Sequence, residues 1–392
     1  MASENAKCED TQDFYKVLED NSTSKFFMEY NGYLSNHVSH GIIALRRLGA
    51  RKDRLERFVN WYQDRLESPN GSTAEHQVAA ECNIDDLRGA RKGFYTIYEY
   101  YQEKLGKEYA ADIAKLVQEE FPKLSRGLVA SLLHGLIQLG YGCAVRSPRI
   151  VVEGLAYLHH SYLPIRLSRE HPNATMVGRG DTDVGEVLEE LRDNVELHEY
   201  MISEVQTEKL RNWNSPPQRR LAALLQAKGD YLMDLVMKIK CPTTNGPKSS
   251  MKNAISVAKW VVDQAIFVYT KAESKNDFVL LHGVTAAWSM FEIVKLLQDP
   301  DAAFDTITTY LCCLLATFVT QDCPKLDNNP VSLKYNDWND IVAEAVSRDC
   351  DEHIYKLVQV AFELNREFGD PDLLYKEAAN AALCNKLSFI KY

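Results

Sequence analysis

Five histidines in four apolar segments carry the chemistry that stands out in this sequence. The segments are Asn36-His37-Val38-Ser39-His40-Gly41, Leu132-Leu133-His134-Gly135-Leu136-Ile137, Leu280-Leu281-His282-Gly283-Val284-Thr285 and Asp351-Glu352-His353-Ile354-Tyr355-Lys356. Three of the four place Gly directly after His inside an apolar helical pattern. Gly costs roughly 1 kcal/mol relative to Ala in a helix interior, so the repetition calls for a reason such as room for a backbone, a ring or a ligand beside the imidazole. Taken singly, each histidine reads as a buried residue whose ring nitrogens find ordinary hydrogen-bond partners. Taken together, helices that each aim one imidazole inward build a metal site in a helical core. Imidazole suits iron, zinc, copper or nickel and excludes magnesium and calcium. The segments lie about 95, 148 and 71 residues apart, so only the fold can bring them together. Of the other histidines, His76, His159, His171 and His198 read as surface or loop residues, and His160 is left open.

The elements that must position these side chains are helices. Phe58, Trp61, Tyr62 and Leu66 fall at helical spacing, as do Ile113, Leu116, Val117 and Phe121, and strand alternation is nearly absent. Ser147-Pro148 and Asp299-Pro300 punctuate the chain, and Gly369 with Pro371 stops the last strong pattern. The expectation is an all-α fold: a single large multi-helix domain over residues 1–392, with histidines projecting from several core helices and a seam near 241–250. Leu128 to Val145 is uncharged for 18 residues, a length at which a membrane span must be weighed; its Ser, His and Gln favour a buried core helix.

Composition narrows the function. The 45 Lys and Arg against 55 Asp and Glu leave a net charge of −10, which argues against a general nucleic-acid binder. The start carries no signal-like apolar run, so a cytoplasmic protein is expected. Nine cysteines without a Cys-x-x-Cys pair disfavour both a disulfide framework and a structural zinc site. Neither a Gly-x-Gly-x-x-Gly nor a Walker loop nor a Gly-x-Ser-x-Gly elbow is found, and the Glu-x-x-His pairs of carboxylate-bridged di-iron bundles are missing. The basic run Arg46, Arg47, Arg51, Lys52, Arg54 and Arg57 reads as a solvated helix face.

In order along the chain, the segments resemble the questin oxidase-like family. The matching blocks are Leu34-Ser35-Asn36-His37-Val38-Ser39-His40 with Leu48-Gly49-Ala50, His134 to Tyr141 with Glu153-Gly154-Leu155-Ala156, Leu281 to Thr285, and Asp351-Glu352-His353 with Lys356-Leu357. The resemblance implies an all-α oxygenase that opens rings of aromatic polyketides such as anthraquinones, with O2 and a small aromatic substrate as partners. Relatives are described either as NADPH-requiring Baeyer-Villiger-type oxidases or as mononuclear non-haem iron dioxygenases, with four histidines and a carboxylated lysine around Fe2+. The residues that match such a site are His134, His282, His353, one of His37 and His40, and Lys356. His40 is preferred as the ligand because Gly41 repeats the His-Gly pattern, which leaves His37 and Tyr141 for catalytic roles. Carboxylation would turn a lysine that repels a dication into an anionic oxygen ligand. Lys356 lies one turn from His353 on a helix; a snorkelling surface lysine is the other reading. Ser35 and Gly41 depart from fungal relatives, which tend to carry more histidine there. Glu153 is a candidate outer partner of a ligand imidazole, and Tyr141 and Trp288 are candidate pocket walls. Two other readings stay open: a non-catalytic helical small-molecule-binding protein, and an NADPH-dependent oxidase without bound metal. No membrane or nucleic-acid partner is expected, and the oligomeric state is not fixed by the sequence.

Overall fold

The structure, a computed structural model, describes residues 2–69, 83–204, 216–242, 250–327 and 333–388. The fold is all-α. Helices α1 (Ala2–Asp20), α2 (Val38–Arg47) and α3 (Lys52–Tyr62) open the chain. They are followed by α4 (Phe94–Lys107), α5 (Ile113–Glu120), α6 (His134–Val145), α7 (Pro148–His160), α8 (Val184–Asp193), α9 (Val195–Glu204), α10 (Pro216–Ala227) and α11 (Gly229–Lys238). Then come α12 (Met251–Lys271), α13 (Phe278–Val294), α14 (Pro300–Thr320), α15 (Trp338–Ser347), α16 (Glu352–Phe368) and α17 (Leu374–Cys384). Among the described residues the only sheet is the antiparallel pair β1 (Glu29–Tyr30) and β2 (Leu34–Ser35).

The chain divides into two compact units, Met1–His76 with Asn328–Leu387, and Gln77–Asp327 with Ser388–Tyr392. In unit 1, α16 packs on α2 and α17, and α2 packs on α3. In unit 2, α6 packs on α7 and α13, and α13 on α12 and α14. The stretch 241–250, read as a seam, lies inside unit 2, and its residues 243–249 fall outside the described ones, as does His76.

The punctuation works as capping. Ser147 accepts from the Ile150 N–H and Pro148 follows at the first turn of α7; Asp299 and Pro300 do the same for α14, as expected where the first-turn N–H groups lack helical partners. Gly369, at φ 77°, ends α16 in a conformation that disfavours side chains. Among the described residues one helix, Pro300–Thr320, is long and apolar enough to cross a membrane, and 89% of its most apolar stretch is buried in the protein. Leu128 to Val145 is not a single helix, because α6 begins only at His134 and its 12 residues are too short to span.

Candidate functional site

In unit 2, two imidazoles are fixed by backbone. Ser131, Leu132 and Leu133 precede α6 with φ of 49°, 53° and 68°, a run of left-handed non-Gly residues that costs roughly 1–2 kcal/mol at each position. The turn aims the Ser131 carbonyl at His134, whose Nδ1–H donates to it, and Arg91 Nη1 donates to Ser131 Oγ at 3.0 Å. On α13, capped by Asp277, His282 Nδ1–H donates to the Phe278 carbonyl at 2.7 Å. A carbonyl can only accept, so both Nδ1 atoms carry hydrogen and each neutral ring presents a lone pair at Nε2. Those two Nε2 atoms stand 3.1 Å apart, with His134 5% and His282 0% exposed. Two lone pairs so placed repel each other unless a proton or a cation lies between them. With metal–nitrogen bonds of about 2.1 Å, this separation suits two adjacent positions on one ion.

In unit 1, the partners are ionisable. His37 is the N-cap of α2 rather than a residue within it, with φ −108°, and its backbone N–H donates to the Tyr62 hydroxyl at 3.2 Å. Its ring meets that of His353 with centroids 4.7 Å apart and that of His40 at 5.4 Å. His37 and His353 offer ring nitrogens within 4.8 Å of one another. His37 Nδ1 faces the Tyr62 hydroxyl at 3.4 Å and Glu352 Oε1 at 3.6 Å. His353 Nδ1–H donates to Asp351 Oδ1 at 2.5 Å, and the same oxygen caps α16 by accepting from the His353 backbone N–H at 3.0 Å. The lone pair of the neutral ring is thereby placed on His353 Nε2, in the carboxylate–histidine arrangement that orients metal ligands.

Lys356 is completely buried, and its Nζ has no hydrogen-bond partner among the described residues. It is no snorkelling surface lysine. Burial pushes its ammonium down from the ordinary lysine range, against the opposing pull of Glu352 and Asp351. Burial and then the Lys356 charge lower the His353 imidazole, which favours the neutral, ligating form. Burial and the neighbouring Asp351 push the Glu352 carboxyl up. Burial alone would raise Asp351 too, but His353 holds it below the usual carboxylate range. In unit 2 His134 and His282 are committed through Nδ1, and in unit 1 His353 is committed likewise beside a buried amine drawn toward neutrality; imidazole is a donor that suits a transition metal.

The comparisons with known proteins decide the lineage. Residues 34–361 match the family described as Questin oxidase-like. The chain belongs to the questin oxidase-like family. It is also 23% identical over 367 residues to the "Baeyer-Villiger monooxygenase AacuH" of Aspergillus aculeatus, a match covering 85% of this chain and 74% of that protein.

Other residues of this questin oxidase-like chain settle into plainer roles. Tyr141 is fully buried on α6 with its ring 4.9 Å from that of Trp288 on α13. The buried Glu153 carboxylate accepts from Gln138 Nε2 at 2.8 Å. The glycines after histidine make room for neighbouring structure: a Cβ on Gly41 would lie 2.2 Å from the Phe58 ring, and one on Gly135 2.8 Å from the Leu158 backbone. His159 and His160 are each 2% exposed, so the surface reading of His159 is wrong. His159 sits between the Tyr101 hydroxyl at 2.9 Å and the Ile84 carbonyl at 3.0 Å. Arg54, read as part of a solvated face, is buried. The helix-start positions of His37 and His134, the Asp351 partner and the buried Arg54 escaped sequence reasoning. Only Asp351, an acid two residues before a histidine, left a signal there.

Proposed function

We propose that this questin oxidase-like chain is an oxygenase that inserts oxygen into an aromatic or quinone-like small molecule and cleaves its ring, using one mononuclear non-haem iron. The ligands in this reading are His134, His282, His353, Lys356 and, from the pair near the start of α2, His37. His37 replaces His40 as the preferred ligand because its ring contacts His353. The observation that carries the reading is the pair of Nε2 lone pairs on His134 and His282, 3.1 Å apart with both Nδ1 atoms committed elsewhere. The family membership supports oxygenase chemistry.

Iron(II), when bound, supplies the centre at which dioxygen is activated. The chain's own residues do the rest. Ser131 and Phe278 carbonyls lock two imidazoles in the ligating tautomer, and Asp351 does so for a third while adding negative charge. Lys356, kept dry and pushed toward the neutral amine, can add carbon dioxide at Nζ, forming an N–C bond and giving up one N–H proton, and so become an anionic oxygen donor. Tyr141 lies seven residues beyond His134, about 10 Å along α6, which makes it a wall packed on Trp288 rather than a group touching reacting atoms. The burial of both pairs keeps bulk water out.

The name of the Aspergillus relative, a Baeyer-Villiger monooxygenase, favours a second reading of that reaction type; in it the chain draws on NADPH and needs no metal. Oxygen uptake by the purified full chain with a hydroxyanthraquinone separates the two. The iron reading expects uptake that follows added iron(II) and stops with a chelator. Uptake that needs NADPH and ignores chelation would overturn it.

A further inference from the structure

We infer that Arg54 is a positioning residue that sets the aim of His353, acting through Tyr355 and the loop that leads into α16; as a statement about metal binding it rests on the proposed ligand set. Arg54 lies on α3 and is 7% exposed. Its Nε donates to the Val346 carbonyl at 2.5 Å, and Nη2 donates to the Arg348 carbonyl at 2.5 Å and to the Tyr355 hydroxyl at 2.9 Å. Asp349 Oδ1 stands 3.6 Å from the same Nη2. The Tyr355 hydroxyl in turn donates to the Arg348 carbonyl at 2.7 Å and accepts from the Cys350 N–H at 3.0 Å.

One buried guanidinium therefore grips residues 346, 348 and 355, which bracket Asp351 and His353. Its planar, forked donors can hold two carbonyls and a hydroxyl at once, which a lysine ammonium on a flexible stem cannot reproduce. A second contact ties the same bracket to α2. The Tyr355 ring meets Phe58 edge-on at 5.8 Å, and Phe58 fills the space that only Gly41 leaves open. Helix α3 thus serves as a template: through Phe58 it abuts the start of α2, where His37 and His40 sit, and through Arg54 it fixes the start of α16, where His353 sits. This gives the buried member of the basic run, and the glycine after His40, a common purpose.

The test uses the full chain with two readouts, hydrogen exchange over residues 346–355 and titration with cobalt(II) followed by visible absorbance. Variants are Arg54→Ala and Tyr355→Phe, the second keeping the ring and dropping one hydroxyl should the first fail to fold. Arg47→Ala is the control, because it breaks an ion pair between α2 and α16, with Glu363, away from the loop. The expected result is faster exchange in the loop and cobalt affinity lowered by about 10-fold or more in both test variants, with Arg47→Ala near wild type in both readouts. Unchanged exchange overturns the clamp. Faster exchange with wild-type cobalt affinity, or an equal affinity loss in Arg47→Ala, overturns the positioning role. A wild-type chain that takes up no cobalt contradicts the proposed ligand set instead, and the exchange data still decide whether Arg54 holds the loop.

Discussion

In unit 2 the backbone holds each imidazole, His134 through Ser131 and His282 through Phe278, whereas in unit 1 side chains that ionise surround His37 and His353. A main-chain carbonyl cannot change charge, so it selects one tautomer of the neutral ring and adds no net charge to the site. A carboxylate both fixes the tautomer and raises ligand basicity, and the Asp351, Glu352 and Lys356 group makes unit 1 the place where charge is balanced. The contrast teaches a difference in how an imidazole is held: by uncharged backbone in unit 2, and by side chains that ionise in unit 1.

The comparison can be broken at several points. His282→Ala removes a donor outright, so metal content should fall to background by elemental analysis, a larger loss than the 10- to 100-fold typical of outer partners. Asp277, the buried cap of α13, is pushed up to about 6 by burial despite accepting from the Val279 and Leu280 N–H groups. A carboxyl raised in the folded state takes up a proton on folding, so its penalty is absent below about pH 4, grows as pH rises from about 4 to 6, and is complete above that. Asp277→Asn keeps an acceptor for the cap without the charge. It should raise stability at pH 7 by about 3 kcal/mol and have little effect at pH 4, as read by urea denaturation at the two values. Asp351→Asn should lower metal affinity about 10- to 100-fold, whereas the Nδ1 atoms of His134 and His282 donate to main-chain carbonyls, which a side-chain substitution at Ser131 or Phe278 leaves in place.

The smallest effect concerns the glycines. Gly41→Ala drives a Cβ into the Phe58 ring, whereas on Gly283 the nearest atom, Leu314 Cδ1, is an ordinary 3.5 Å away. Thermal unfolding should show Gly41→Ala destabilised by about 1–3 kcal/mol and Gly283→Ala stabilised by about 1 kcal/mol.

Helical periodicity made the all-α fold legible, and Ser147-Pro148, Asp299-Pro300 and Gly369 marked helix ends correctly because capping chemistry is local. What escaped depends on the chain's return. Arg54 looked solvated because the carbonyls that desolvate it come from residues 346 and 348, nearly 300 positions on. His159 looked exposed at a helix end, and its partners are Tyr101 and Ile84. The break before His134 was invisible because Ser131, Leu132 and Leu133 adopt left-handed φ without glycine or proline to announce it. Chain order also hid that unit 1 joins two stretches far apart in sequence, Met1–His76 and Asn328–Leu387. The preference for His40 followed the His-Gly repetition, yet Gly41 faces Phe58, and it is His37 whose ring lies against that of His353.

The central claim is that His134 and His282 bind a transition metal through their facing Nε2 atoms. Elemental analysis of the full chain beside His282→Ala and His134→Ala addresses it most directly. The account predicts one ion per wild-type chain and none in either variant. A wild-type chain without metal, or one variant that keeps its ion while the other loses it, would contradict the account.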